Sequence, residues 1–457
     1  MPHQILSKWL FTLLALLGCV AGNVQADEEE IVVSLDTETP LMPLYLPPLI
    51  AEETQLSSSY IQQLEKVLAF DLEHNGHTFL VKRTPTNDRL ATPHLGQPSV
   101  WKEQNIFYVV KGEIQGNSLL VSILDVDQQK RRTTDPINLT GQLNKDRRSL
   151  HKLADTIQKA FFGTEGIASS KILFSLRNEG VSTAKNQVSE IWEVDYDGAN
   201  ARQLTHDLSY NITPVYIPPK PGLASGGFLY VSYQIGQPKI YAASIKEGVG
   251  HRVTSLKGSQ LMPNISRQRN TIAFISDVTG NPDLFIQDFS PETGIKGKPQ
   301  QIFSAKQATQ GSPCFSPDGK KIVFVSNKDG SPKIYMIAIP LPGSSLKDVK
   351  ATLITKINRE NSAPAWSPDG TKLAYCARTK DARQIWIYDF ITNKERQVTS
   401  GSGNKENPSW AADSLHLVFN SADKGDSQLY IINLNQAEAF PITSGKGDKR
   451  FPNWEPS

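Results

Sequence analysis

One spacing dominates this chain. A proline two residues ahead of a bulky apolar side chain stands at Pro214, Pro263, Pro313, Pro364, Pro408 and Pro452, at intervals of 44 to 51 residues. Two short runs rich in β-branched and aromatic residues follow each of the first five prolines, as in Ile322–Val325 and Ile334–Ile339. Such runs are too short for helices and read as strands. Where the repeat is plainest, Ser316-Pro317-Asp318-Gly319 and Ser367-Pro368-Asp369-Gly370 join the first strand to the second. Proline presets φ, aspartate bonds the backbone ahead, and glycine accepts the positive φ of a tight turn. A fourth short strand closes most units, at Arg202–Thr205, Leu353–Thr355 and Arg396–Thr399. Four strands at this period make a propeller blade.

The ends of the repeat are unequal, and that decides the count. Lys171–Phe174 and Glu190–Glu193 read as second and third strands lacking a first, while Arg450–Trp454 is a first strand with nothing after it. In a ring the tail supplies what the head lacks, and no sheet edge stays open. The expectation is an all-β six-bladed β-propeller over residues 166–457, closed by the C-terminal strand.

Residues 1–26 read as a secretory signal peptide. Lys8 precedes an apolar run, Trp9–Val20, which is too short to span a membrane, and Val24-Gln25-Ala26 offers a cleavage site before Asp27. Leu16-Leu17-Gly18-Cys19 is a rival reading, because it resembles a lipoprotein box that would leave Cys19 acylated. Residues 27–165 read as a small α/β domain. Strands are expected at Ile31–Leu35, Thr78–Lys82, Ile106–Ile114 and Leu119–Val126, with helices at Leu56–Phe70 and Leu150–Phe162. The short link Gly163–Gly166 implies that the two parts pack together.

Forty-eight basic residues against 46 acidic ones give a net charge of +2, which supplies no electrostatic case for nucleic acid. Cys314 and Cys376 read as buried apolar side chains. The 8 histidines are scattered, and only His74 and His77 lie close together, as a surface pair. Asp195-Tyr196-Asp197-Gly198 has the look of a calcium loop but sits where a third strand turns into a fourth, so it reads as a turn. Trp192, Trp366 and Trp410 read as core. No G-x-S-x-G nucleophile elbow and no metal-type spacing of Cys and His occur, so no catalytic residue, metal or cofactor is expected.

An exported chain with a small α/β domain ahead of SPDG-type propeller repeats resembles the TolB family, the periplasmic component of the Tol–Pal system. The likeness is strongest at Pro313–Ile339, Pro364–Thr399 and Phe451-Pro452-Asn453-Trp454. The blades at Pro214, Pro263 and Pro408 depart from it, reading IPPK, SRQR and AADS where SPDG would stand. The resemblance implies a non-enzymatic scaffold of the periplasm, active in outer-membrane integrity and cell division. It implies docking of a Pal-type lipoprotein on one propeller face and of TolA through an N-terminal segment, here Asp27–Leu35. The candidate Pal surface is the ring of loops entering each anchor proline: Tyr210 and Asn211, Gln260 and Leu261, Gln310, Glu360 and Asn361, Lys405 and Glu406, Lys449 and Arg450. Charge reversal at Lys449 or Arg450 together with Glu406 is expected to weaken that docking without lowering stability. The alternatives are a secreted propeller hydrolase and a glycan-binding propeller.

Overall fold

Six aromatic side chains at one equivalent position show how the chain builds its blades. Phe174, Tyr230, Phe274, Phe324, Tyr375 and Phe419 each sit mid-way along a second strand, and each is almost fully buried. Burying such a ring contributes about 1.5–3 kcal/mol, so the repeat fixes one strand of every blade against its neighbours. The computed structural model describes residues 38–457 except 93, 183–186, 342, 381, 423, 424, 437 and 457. The expected signal peptide, Cys19 and the Asp27–Leu35 segment, including the strand expected at Ile31–Leu35, lie outside these residues.

The described chain forms six four-stranded antiparallel sheets. Their innermost strands are Asn211–Tyr216, Gln260–Ile265, Gln310–Phe315, Asn361–Trp366, Asn404–Trp410 and Asp448–Trp454. We number the blades from the one holding Lys171–Ser182, Gln187–Asp195 and Arg202–Gln203, whose inner strand is the C-terminal Asp448–Trp454. That strand pairs antiparallel with Lys171–Ser182, placing Trp454 opposite Ile172. The Trp454 indole donates to Ser170 Oγ at 2.7 Å and its backbone N–H to Ser409 Oγ at 3.0 Å, tying blade 1 to blade 6.

One rule repeats between other blades: the side chain after the anchor proline accepts a backbone N–H from the next inner strand. Asn264 Oδ1 takes Phe315 N–H at 3.0 Å, and Asn453 Oδ1 takes Tyr216 N–H at 2.8 Å. In an all-β ring, where backbone donors at strand ends go unpaired, such bonds satisfy them.

The N-terminal part carries a seven-stranded sheet, with Thr78–Leu80, Met42–Tyr45, Tyr108–Gln115, Ser118–Asp125 and Lys130–Thr133 in that order across it. Among the described residues four helices join it: α1 (Ser58–Glu73), α2 (Pro85–Ala91), α3 (Pro98–Glu103) and α4 (Leu143–Phe162). Two of these, α2 and α3, are absent from the sequence reading. Each is only two turns or less and starts with proline at its first position, which carries little apolar periodicity. α4 begins seven residues earlier than its apolar face suggests, through the polar turn Leu143-Asn144-Lys145-Asp146. Buried Asp146 holds that turn by accepting from the Tyr60 hydroxyl and from Thr140 N–H.

This part packs on the propeller at blades 6 and 1. Gly76 has φ 79°, and a Cβ there would lie 2.5 Å from Leu415 and 2.7 Å from His416, so only glycine allows the approach. Asn435 Nδ2 donates to Gly76 O at 2.8 Å, and His416 Nε2 lies 3.0 Å from His74 O. His74 and His77 are therefore not the surface pair expected. His74 is buried against Phe70 and Phe440, and His77 stacks on Phe162.

Candidate functional site

Each anchor proline sits in a β-bulge. Ile212 faces Val231 and Val215 faces Leu229, so three steps on the inner strand oppose two on its partner. The same slip recurs in all five other blades. Proline has no N–H to donate, so the extra residue costs the ladder no bond there. The residue before the proline is left-handed every time: Thr213, Met262, Ser312, Ala363, Asn407 and Phe451, with φ from 44° to 55°. None of the six is glycine, and such backbone costs of order 1 kcal/mol per site. Strain kept at one level of a ring marks that level as a candidate site.

The bulges turn these six residues toward a central channel of about 360 Å³. Prolines, Trp366, Trp410 and Trp454 line it further, and Arg267 is the single charged side chain among its lining residues. Burial pushes the Cys314 thiol up to about 11, so it is protonated and unreactive near neutral pH. The channel wall, rich in prolines and tryptophans, offers packing surface.

The expected docking residues divide by one step along the chain. Asn211, Gln260, Gln310, Asn361 and Lys449, three residues before their prolines, are buried rather than presented at the mouth. Their side chains hold the preceding interblade loop. Gln260 donates to Leu256 O at 2.9 Å, and Asn361 to Asn358 O at 3.0 Å. Lys449 Nζ reaches three carbonyls, those of Gly445, Lys446 and Gly447, at 3.2–3.4 Å. Lys405 Nζ does the same for Gly401, Ser402 and Gly403. Leu261, Glu406 and Arg450, one residue on, are half-buried at the mouth, where Glu406 pairs with Arg383 at 3.1 Å. Tyr210 and Glu360 are also partly exposed there, and Tyr210 packs edge-on to Tyr233. The left-handed residues nearest the channel were not singled out from the sequence; their signal is simply their place before each proline.

A second cluster lies between the two parts. His151, Asp195 and Asp197 bring ligand-type atoms within 4.8 Å of one another, but one of the three is an imidazole nitrogen, which an oxygen-liganded calcium loop does not use. Cations of the chain already occupy both carboxylates: Arg147 bonds Asp197, and Lys171 lies 3.3 Å from Asp195. Asp71, wholly buried, accepts from the Tyr196 hydroxyl at 2.7 Å and lies 2.8 Å from His151 Nδ1. Burial alone would push the His151 imidazole down, but the bond and charge of Asp71, with Asp197 behind it, hold it above its ordinary value. The Asp195–Gly198 turn is thus the propeller's half of an interdomain lock.

A family profile described as the TolB beta propeller domain matches residues 159–349 and 343–457. A protein TolB homolog of Protochlamydia amoebophila is 62% identical over 385 residues, 83% of this chain and 82% of that relative. Another from Chlamydia caviae is 36% identical over 387 residues, covering 85% and 84%. The crystal structure of TolB from Acinetobacter baumannii superposes with a TM-score of 0.73 over 92% of this chain and 98% of its own, at 23% identity, and shares the fold. With relatives of this identity covering more than four fifths of its length, the chain belongs to the TolB family.

Proposed function

We propose that this protein is a periplasmic, non-enzymatic docking scaffold of the Tol–Pal system. In this reading its propeller binds a Pal-type lipoprotein at the mouth ringed by the six left-handed residues, and its segment Asp27–Leu35 engages a TolA-type protein. Domain assignments follow the sequence: a signal peptide at 1–26, an α/β domain at 27–165 and the propeller at 166–457. Membership in the TolB family supports the assembly, and one structural observation supports the surface. Six strained, non-glycine positions are kept at one level of the ring, beside a channel whose wall suits packing against another protein. Among the described residues no helix is long and apolar enough to cross a membrane, which is compatible with a peripheral envelope protein.

Cross-linking in an envelope fraction, followed by pull-down and mass spectrometry, tests the reading. Recovery of a peptidoglycan-associated lipoprotein joined to blade loops is the expected result. Recovery of only glycan or of a hydrolase substrate would overturn it.

A further inference from the structure

The loop face around the channel mouth is not uniform, and its asymmetry points to how a partner sits. Four large apolar side chains project from it over blades 2 and 3. Leu208 is 62% exposed, Ile235 54%, Met262 40% and Val278 38%. Leu208 lies in the loop entering blade 2, and Ile235 in the Tyr233–Gly236 turn of that blade, whose Tyr233 N–H donates to Tyr210 O. Val278 sits in the matching turn of blade 3, against Gly258, and Met262 is that blade's left-handed residue. A folded protein rarely gathers exposed apolar side chains in one sector without something to cover them.

The opposite arc, over blades 4, 5, 6 and 1, is ionic. Its carboxylates are engaged within the chain: Asp329 with Lys328 at 2.7 Å, Glu360 with Arg378 at 3.6 Å, Glu406 with Arg383 at 3.1 Å, and Asp448 with Arg177. Lys356, Arg359 and Lys446 are exposed there without an ion pair among the described residues, so the arc carries excess positive charge. Ile357 is the apolar exception, and it stands between two of these cations.

We propose that these two sectors seat one protein partner in a single orientation, an apolar patch of the partner over blades 2 and 3 and an acidic edge over blades 4 to 1. This rests on the reading of the mouth as the lipoprotein-docking face. Opposed charges set encounter rate and orientation, whereas a small apolar cluster carries much of the affinity.

The test uses the full chain and the soluble domain of the same organism's peptidoglycan-associated lipoprotein, by calorimetry from 50 to 300 mM salt. Leu208→Ser with Ile235→Ser is expected to weaken binding by about tenfold at every salt concentration. Lys356→Glu with Arg359→Glu is expected to weaken binding by about tenfold at low salt and to remove its salt dependence. Carbodiimide cross-linking, which joins a partner's carboxylates to lysines, is expected at Lys356 and Lys446 and not at Lys257 near blade 3. All four substituted residues are exposed, and unchanged melting curves certify the fold. If the unaltered chain binds but both double variants match it, or cross-links concentrate at Lys257, the two-sector seating is wrong while the docking reading stands. If the unaltered chain does not bind at all, the docking reading fails and the seating falls with it.

Discussion

Thr213 is the least comfortable of the six residues before the anchor prolines. It is β-branched yet held at φ 49°, and its hydroxyl is buried without a hydrogen-bond partner among the described residues. β-branched side chains tolerate left-handed backbone poorly, whereas asparagine accepts it, as Asn407 does at φ 55° in blade 6. Thr213→Asn is therefore expected to stabilise the chain by about 0.5–1 kcal/mol, measured as a raised midpoint in urea. Lys449 predicts the opposite. Because its ammonium satisfies three loop carbonyls, Lys449→Met is expected to cost roughly 1–3 kcal/mol, read from the same experiment. This corrects the expectation that reversing charge at Lys449 would spare stability: its side chain is structural, and partner binding is better tested at Lys356 and Arg359.

At the scale of the strand, the closing element carries more than its length suggests. Trp454 is buried, its indole bonded to Ser170, and the residue after it donates from its backbone to Lys171 O at 2.8 Å. Removing residues 450–457 strips blade 1 of its inner strand and exposes the edge of Lys171–Ser182. The loss is expected to reach several kcal/mol, of which Trp454→Ala alone supplies about 3–5. Thermal unfolding of the truncated chain should start earlier and lose cooperativity; an unchanged curve would mean that closure contributes nothing. This strand was legible in the sequence because its partnerless fragments lie at both ends of the repeat, and the repeat of Pro, bulky residue and turn fixed the blade order. What escaped was local. The residues three before the prolines read as loop, whereas the inner strands already begin at Asn211, Gln260, Gln310 and Asn361. The bulge then puts each of them on the same buried side as its proline, so they point into the blades. His74 and His77 escaped for a different reason: their environment is made by blade 6 and by α4, far away in sequence.

For the molecule as a whole, histidines of opposite tendency line the seam between the α/β part and the propeller, and together they set a pH optimum. Burial lowers both His74 and His77, so their contribution is present above an unfolded-state value near 6.5 and is lost as pH falls through their lower folded values. His151 is raised, so its contribution is complete below about 6.5 and is lost as pH rises through its folded value. The groups facing it are Asp71 on α1, Arg147 and Asp155 on its own helix, and Tyr196 and Asp197 on the blade 1 turn. Stability measured in urea is therefore expected to peak near pH 6.5 and to decline on either side of it. His151→Gln keeps an amide donor for Asp71 but removes the titration, so it should flatten the alkaline limb and leave the acid limb in place. Were the alkaline decline to survive in that variant, the lock at Asp71 and Asp197 would not be its source.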